Sequence, residues 1–377
     1  MNNFFDKYTV SIDEQIESPF LQRDNNYQDG TTPMYRDVDG KLWAMSGHSH
    51  MGTVNMYCGS CLDDMKKVYE INTNFCVGHA DYAFLGIRYP DGNKSVGSLW
   101  PFGLYICPNT HRFFCFFHNE TGWNGKGTGY DAYGLCDKPK MDSDFRHIGL
   151  MHSDDEGKNW TFDRWVLTGE DVDFTEKYNP GAGNAAGQKS GRICLGSGDF
   201  SLFVESDGEY MYIFYNKIYQ DTEKETWEAI DVFVARTRKR TDGIMGDFVK
   251  YYDGAFCEAG NFGKETAIAT KAWHPRVIYS KKHQLYFMSS SRADVPVVNG
   301  GRVVKHVMEV RVSKDLVHWS EPVSLMRDGK SFGCHYVAMV SEDDKNQPCE
   351  FDGDGFSILS NHNGSDVYRN RAKFVKR

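Results

Sequence analysis

Short runs of apolar residues alternate along this chain with turn-forming Gly, Asn and Asp, and helical periodicity is nearly absent. Five pairs of such runs are joined by short polar segments such as Asp-Gly and Pro-Asn, which are typical of β-hairpins. The predicted hairpins fall in residues 34–45, 103–117, 200–215, 276–288 and 335–360. The pattern therefore predicts an all-β chain.

Two segments fit the Asp-box pattern, a repeated turn motif of the form Ser-x-Asp-x-Gly-x-x-Trp or the shorter form Ser-x-Asp-Leu-x-x-Trp. Residues 153–160 read Ser-Asp-Asp-Glu-Gly-Lys-Asn-Trp, and residues 313–319 read Ser-Lys-Asp-Leu-Val-His-Trp. Residues 60–69 form a weaker third copy, and residues 237–251 occupy the equivalent place in a fourth unit. In this motif Ser and Asp hydrogen-bond the turn backbone while Trp packs between sheets. We therefore give the box residues a structural role and no catalytic one.

The hairpins and box turns recur at a spacing typical of β-propeller blades, roughly 40 to 50 residues plus insertions. We predict one domain, residues 1–377, with five blades at about 30–77, 100–168, 195–253, 272–325 and 333–377. The last blade lacks a fourth strand, and the N-terminal run 8–12 is predicted to supply it. This pairing would close the ring and cover an exposed sheet edge.

Composition and charge exclude several classes of protein. Hydrophobic residues make up 40% of the 377 residues and aromatic residues 14%, which argues against disorder. The net charge of −9 leaves no basic excess to neutralise a nucleic-acid backbone. No apolar run approaches the roughly 20 residues that a membrane span requires. We therefore expect a soluble protein that binds neither nucleic acid nor membrane, and its oligomeric state is left open.

The N-terminus and the thiols predict the compartment. The first residues lack the basic and apolar regions of a signal peptide. Ten cysteines without an export signal favour reduced thiols, and hence a cytoplasmic location. Cys58 and Cys61 form a Cys-x-x-Cys pair, which we interpret as two thiols near a strand end. A redox pair or half of a zinc site is the alternative, but no second pair follows at zinc spacing.

The propeller prediction also places the candidate site. In each blade the first strand starts near the axis and the second returns to the same face, so these ends converge on one pocket. They are rich in His, Trp, amides and acids, a mixture that suits sugar hydroxyls and the flat faces of sugar rings. We predict a carbohydrate substrate and a binding set that comprises His48, Trp100, His118, Asn216, Trp273, His274, Arg292, His335 and His362.

Three carboxylates in these positions are candidates for acid–base catalysis. Glu120 ends a very apolar strand, so burial is expected to raise its pKa toward that of a proton donor. Asp199 starts an inner strand and is a candidate base, modulator of the acid or acceptor of a sugar hydroxyl. Asp29, in the corresponding place of the first blade, is a second candidate base. Each also has a plain alternative: a surface glutamate for Glu120 and a turn-stabilising aspartate for the other two.

The histidines allow a different chemistry, because they could hold a divalent metal at the propeller axis. His48 and His50 are two residues apart, as are His79 and Asp81, and these spacings could build a site for a metal-activated water. His274 and His335 could hold an axial ion or water. Hydrogen-bonded structural histidines are the alternative, so no cofactor is assigned with certainty.

The boxes, the predicted blades and the axial acids together resemble the five-bladed β-propeller carbohydrate-active enzymes. These include glycoside hydrolase families 43, 32 and 117 and, more distantly, the six-bladed sialidases. Residues 311–322 are similar to a blade-four segment of these hydrolases, and residues 148–155 resemble the box-bearing strand of sialidase-like proteins. Two departures stand out: Asp29-Gly30 occurs where the hydrolases usually have Asp-Pro, and the sialidase arginine triad is not recognisable.

The resemblance implies a bacterial glycosidase of carbohydrate metabolism. Our first hypothesis is an inverting glycoside hydrolase in which Glu120 is the acid and Asp199 or Asp29 the base or modulator. A metal-dependent amino-sugar deacetylase, an activity also found among such propellers, is the second, with His48, His50, His79 and Asp81 as ligands. A non-catalytic glycan-binding propeller is the third.

Overall fold

The structure, a computed structural model, describes residues 4–22, 29–48, 53–70, 98–120, 146–169, 192–221, 226–292, 297–298, 305–361 and 366–377. Within these ranges the regular structure is almost entirely β, apart from the short helix α1 (Phe4–Lys7) and one 3-10 turn (Pro19–Leu21). The all-β prediction is confirmed. No helix in the described ranges has the length and apolar character needed to cross a membrane.

The described ranges contain twenty-six strands. In the first half they are β1 (Tyr8–Ile16), β2 (Met34–Arg36), β3 (Leu42–His48), β4 (Thr53–Gly59), β5 (Lys66–Glu70), β6 (Ser98–Ile106), β7 (Phe113–Glu120), β8 (Arg146–Ser153), β9 (Thr161–Leu167), β10 (Arg192–Val204), β11 (Tyr210–Asp221) and β12 (Thr226–Arg238). In the second half they are β13 (Val249–Tyr252), β14 (Ala255–Ala259), β15 (Ala269–Thr270), β16 (Ala272–Ser280), β17 (Leu285–Arg292), β18 (Val297–Val298), β19 (Lys305–Ser313), β20 (Val323–Ser324), β21 (Met326–Arg327), β22 (Lys330–Ser331), β23 (Tyr336–Val340), β24 (Glu350–Phe351), β25 (Gly355–Asn361) and β26 (Tyr368–Lys376).

The five predicted hairpins are all present as antiparallel pairs. They are β2 with β3, β6 with β7, β10 with β11, β16 with β17, and β23 with β25. The strands extend beyond the apolar runs that predicted them, most clearly in β10 and β11. Their extra residues lie at the ends that carry the candidate site.

The strands form mainly antiparallel sheets around these hairpins. One sheet has the order β2-β3-β4-β5, another β1-β26-β25-β23, and a third β20-β19-β17-β16-β24. The largest sheet joins β6, β7, β8 and β9 to β10, β11, β12, β13 and β14, with β15 and β18 added beside β12. These two halves meet through a single parallel residue pair, Gly196 opposite Arg146, so they are nearly separate sheets.

The N-terminal strand pairs with the C-terminal one. β1 runs antiparallel to β26 from Tyr8 opposite Lys376 to Ile16 opposite Arg369. The run 8–12 thus lies where the sequence predicted a fourth strand for the last hairpin. Because β1 pairs with β26, the C-terminal strand is covered, and β1 is the outer strand of this sheet.

Apolar side chains pack between neighbouring sheets. One cluster joins β6–β8 to β10–β12, the next joins β10–β12 to β16 and β17, a third joins β16–β19 to β23–β26, and a fourth joins β2–β4 to β23 and β25. Between the first two hairpins Trp43 packs edge-on against Phe113 at 5.0 Å, and Tyr35 against Tyr105 at 5.3 Å. The core is therefore a series of intersheet layers.

The box turns are stabilised by local hydrogen bonds. The Ser153 hydroxyl donates to Asp155 at 2.8 Å and accepts the Gly157 N–H at 2.9 Å, while the Trp160 indole donates to the Gly157 carbonyl at 2.7 Å. In the second box Asp315 accepts the His318 N–H at 2.8 Å. The carboxylates of Asp155 and Asp315 thus accept hydrogen bonds within their own turns.

The weaker third copy is also a turn built on one carboxylate. Asp64 accepts the backbone N–H groups of Ser60 and Cys61 at 2.7 and 2.9 Å. Cys58 lies in β4 before this turn and Cys61 lies within it, and the cysteines in the described part of the chain form no disulfide. The pair thus lies at the end of a strand, as interpreted from the sequence.

Candidate functional site

The inner strands contain β-bulges where the candidate residues lie. The strand register shifts in β6 between Pro101 and Gly103, in β10 between Gly198 and Ser201, and in β16 between Trp273 and Arg276. Asp199 and His274, inside two of these bulges, have φ angles of 50° and 52°. A side chain in this left-handed conformation leaves the regular alternation of the strand. The bulges therefore direct Asp199 and His274 toward the other sheets.

Glu120 lies in a buried cluster of charged and polar groups at the end of β7. Its Oε1 is 2.9 Å from His118 Nε2 and 3.3 Å from Arg146 Nε. Glu120 is 8% exposed, whereas His118 and Arg146 are 1% exposed. His147, beside Arg146, adds no charge, because burial, followed by His118 and Arg146, holds its pKa well below the usual value. Glu120 thus lies in a pocket with little access to water.

His118 joins Glu120 to Asp199. The backbone N–H of Asp199 donates to His118 Nδ1 at 3.0 Å, so a neutral ring carries its proton on Nε2 and donates it to Glu120. Asp199 Oδ1 also lies 4.0 Å from His118 Nδ1. Both ring nitrogens of His118 are therefore engaged, and the side chain fixes the positions of the two acids.

Asp29 is held by donors from two other sheets. Tyr336, at the start of β23, donates its hydroxyl to Asp29 Oδ1 at 2.8 Å, and the Trp100 indole of β6 donates to Oδ2 at 3.3 Å. Both donors are buried. Because each carboxyl oxygen accepts a hydrogen bond, the ionised form of Asp29 is well satisfied here.

His274 lies between the two aspartates. Its Nε2 is 3.5 Å from Asp199 Oδ1, and its ring packs edge-on against Tyr336 with a centroid distance of 4.2 Å. The Trp100 ring in turn packs edge-on against His118 at 5.6 Å. Aromatic side chains thus link Asp29, Glu120 and Asp199, which come from three distant parts of the chain.

The structure brings together most of the predicted residues that it describes. Trp273 stacks on His274 at 5.9 Å and meets His335 edge-on at 5.8 Å. Both tryptophans of the predicted binding set, Trp100 and Trp273, are only 3% exposed. Their contact with a sugar stays a prediction. In the structure both pack against histidines, and Trp100 also donates to Asp29.

Two predicted binding residues make protein contacts that account for their positions. Asn216 donates to the Asp231 and Ala272 carbonyls at 2.9 and 2.8 Å and accepts the His274 N–H at 3.0 Å. Arg292 forms an ion pair of 2.7 Å with Glu309. Asn216 therefore fixes the backbone of His274, and Arg292 is paired with an acid on the neighbouring strand β19.

Several predicted residues lie outside the described part of the chain. His50, His79, Asp81 and His362 are among them, and of His48 only the backbone at the end of β3 is described. The metal site predicted from His48, His50, His79 and Asp81 therefore stays a prediction.

Sequence reasoning did not select Arg146 and Tyr336 for the site. Arg146 lies opposite Glu120 in the pairing of β7 with β8, so counting back from the first Asp box would have found it. Tyr336 follows His335 at the start of an inner strand, but only the tertiary structure shows that its hydroxyl reaches Asp29.

Two clusters in the described residues have the composition of a metal site. One comprises His118, Glu120 and Asp199, with one ligand atom from each within 4.8 Å of the others, and the second comprises Asp37, Asp39 and His111. In the first, both nitrogens of His118 already serve protein hydrogen bonds. In the second, Asp37 accepts hydrogen bonds from the backbone of Asp39 and from the Trp43 indole. Neither donor set fits a metal without loss of existing bonds.

Comparison with known proteins supports the fold. No family model and no curated protein matches the sequence. Among solved structures, a family 117 glycoside hydrolase from Zobellia galactanivorans is similar with a TM-score of 0.50 at 10% identity, over 98% of this chain and 90% of that one. An α-L-arabinofuranosidase from Lactobacillus brevis gives a TM-score of 0.46 at 11% identity, over 93% and 94% of the two chains. An endo-arabinase from Bacteroides thetaiotaomicron gives 0.42 at 15% identity, over 92% and 94%. At such identities the first match shows a shared fold alone.

Proposed function

We propose that the protein is a five-bladed β-propeller, closed by β1, that hydrolyses glycosidic bonds of an oligosaccharide or glycan by carboxylate acid–base catalysis. The observation that carries this proposal is that Asp29, Glu120 and Asp199, from three distant segments, are linked through Trp100, Tyr336 and two histidines, His118 and His274. Similarity in fold to a solved glycoside hydrolase supports the same reading. The pairing of β1 with β26 supports ring closure.

The spacing of the carboxylates suggests their roles. One oxygen of Glu120 and one of Asp199 lie within 4.8 Å of each other. An inverting mechanism needs about 6.5–9.5 Å between acid and base, because a water must fit between base and sugar. Asp199 is thus too close to Glu120 to be that base. Arg146 and the His118 N–H favour the ionised form of Glu120, whereas two carboxyl groups this close disfavour double ionisation. We therefore assign Asp199 the role of opposing Arg146 and His118, so that Glu120 can take up the proton it donates.

Asp29 is then the base. Its two oxygens accept hydrogen bonds from Tyr336 and Trp100, which favours the ionised form that a base requires. In the proposed reaction Asp29 removes a proton from water as the water oxygen bonds to the anomeric carbon. The glycosidic C–O bond breaks, and Glu120 gives its proton to the leaving oxygen.

The remaining predicted residues form the proposed sugar-binding wall. His274 lies 3.5 Å from Asp199, and His335 packs edge-on against His274. In the proposed site their ring nitrogens bind sugar hydroxyl groups. Trp100, Trp273, Asn216, Arg292, His48 and His362 complete the set proposed from the sequence. No divalent metal is required by this scheme.

Replacing the acid gives the most direct test. In Glu120→Gln, turnover of alkyl glycosides with poor leaving groups should fall about 10²–10⁴-fold. Turnover of nitrophenyl glycosides, whose leaving group needs less protonation, should fall much less. Glu209→Gln, an exposed glutamate paired with Arg238, is the matched control and should leave both rates unchanged. Equal losses on both substrates would remove Glu120 as the acid.

The metal-dependent amino-sugar deacetylase remains the second candidate, because His118, Glu120 and Asp199 have the composition of a metal site. Removing metal with a chelator distinguishes the acid–base glycosidase from the metal-dependent deacetylase. Activity on nitrophenyl glycosides that survives EDTA supports the acid–base scheme. If the protein instead releases acetate from acetylated amino sugars, and this activity stops with EDTA and returns with zinc, the deacetylase would replace the acid–base scheme. Sugar binding without any product would indicate a glycan-binding protein.

A further inference from the structure

Arg276 is a buried cation in the middle of an inner strand. It lies in β16, two residues after His274, and is 5% exposed. Its Nη1 donates to the Thr32 carbonyl at 2.9 Å, which links β16 to the segment before β2. Thr32 is itself buried. The guanidinium therefore spans two sheets that are far apart in sequence, next to the candidate site.

This guanidinium keeps its charge at neutral pH. Burial lowers the pKa of Arg276 to about 10, which is still well above 7. The titratable group that acts on it is the Cys349 thiol, whose own pKa burial raises to about 12. That thiol is neutral at pH 7. It supplies no compensating negative charge.

The other buried arginines of the described chain are compensated. Arg146 faces Glu120, Arg311 faces Glu309, and Arg369 faces Asp63 and Glu342. Arg36 has no such acid, but it donates to the carbonyl oxygens of Gly40, Ser60, Asp343 and Asn346. Against these, Arg276 has one carbonyl for its five N–H donors and no carboxylate partner among the described residues.

A buried charge without a carboxylate partner is unfavourable, because the low-dielectric interior supplies no counter-ion and leaves the charge little contact with water. Planar guanidinium groups bind small anions through parallel N–H donors. We propose that Arg276 holds a small inorganic anion of the chloride type between β16 and the segment before β2. The anion would accept hydrogen bonds from the Arg276 N–H groups that the Thr32 carbonyl does not use, and it would neutralise the guanidinium charge.

Thermal unfolding in different anions tests the proposal. At constant ionic strength, replacing gluconate by chloride or bromide should raise the Tm, by about 3 °C at a hundredfold excess over the dissociation constant. Gluconate is the reference because it is too large for a group with so little exposed surface. Equal Tm values in all three salts would contradict the proposal.

Arg276→Met removes the charge at similar volume. This variant should unfold at a Tm that no longer depends on chloride, and in gluconate it should be at least as stable as the parent. Arg311→Met is the matched control, since its partner is Glu309. It should lower the Tm equally in both salts and keep the parent's response to chloride.

Diffraction from crystals of the unchanged protein in sodium bromide gives a test that needs no variant. An anomalous peak against the Arg276 guanidinium is the expected result. Density for water alone at that position, together with an anion-independent Tm, would overturn the proposal even if Arg276→Met failed to fold. The test does not depend on glycosidase activity.

Discussion

The two ends of the sheets use their carboxylates in opposite ways. At the box turns, Asp155 and Asp315 accept hydrogen bonds from residues two to four positions away. At the site end, Asp29 accepts from Trp100, 71 residues away, and from Tyr336, 307 residues away. The first arrangement can form as soon as a turn forms, whereas the second exists only when several sheets have packed together.

This difference separates residues that stabilise the fold from those that are available for chemistry. A carboxylate that is satisfied by its own turn is exposed and has a fixed local task. Asp29 and Asp199 instead lie against Trp, Tyr and His side chains that are distant in the chain. Glu120 contacts His118 on its own strand, and that histidine joins it to the distant Asp199. Substitutions at the two ends should therefore affect different properties, catalysis at one and stability at the other.

The largest effect is expected at the proposed base. Asp29→Asn keeps the shape and the two hydrogen-bond donors around it but cannot take up a proton. We expect kcat to fall about 10²–10⁴-fold with little change in Tm. Asp155→Asn at a box turn is the comparison and should keep its kcat. If Asp29→Asn and the parent had similar kcat values, Asp29 would not be the base.

A smaller effect is expected for Tyr336→Phe, which removes one hydrogen bond to Asp29 and keeps the ring against His274. Loss of a hydrogen bond to a charged group predicts a decrease in kcat of about 10- to 100-fold, with KM nearly unchanged. Tyr279→Phe, at the far end of β16, is the control. A rise in KM alone would show that Tyr336 contacts substrate rather than positioning the base.

The smallest effect is expected for Asp315→Ala, and it should appear in stability. Burial raises the pKa of Asp315, but hydrogen bonds from His318 and Val317 outweigh it and hold the pKa below 3.8. The ionised group therefore stabilises the fold above that pH, and the contribution is lost as the pH falls further. We expect a loss of about 1–2 °C in Tm at pH 6 that becomes smaller as the pH falls below 3.8, with kcat unchanged. A constant Tm difference across this range would mean that the charge plays no part.

Much of the fold could be predicted from the sequence, because hairpins depend on alternation and turn residues close together in the chain. All five predicted hairpins formed, and the run 8–12 pairs with the last strand as expected. The candidate site was predicted less completely. Arg146 and Tyr336 were not selected, since their importance depends on how separate strands align and pack.

The sequence by itself determined the all-β character, the strand pairs and the box turns, since each rests on contacts between residues near one another along the chain. Only the tertiary structure decided which polar residues share an environment. The bulges that turn Asp199 and His274 inward, the burial of Glu120 and the uncompensated charge of Arg276 all arise where different sheets meet. Burial makes such charges costly, and the groups that surround each one decide what it can do.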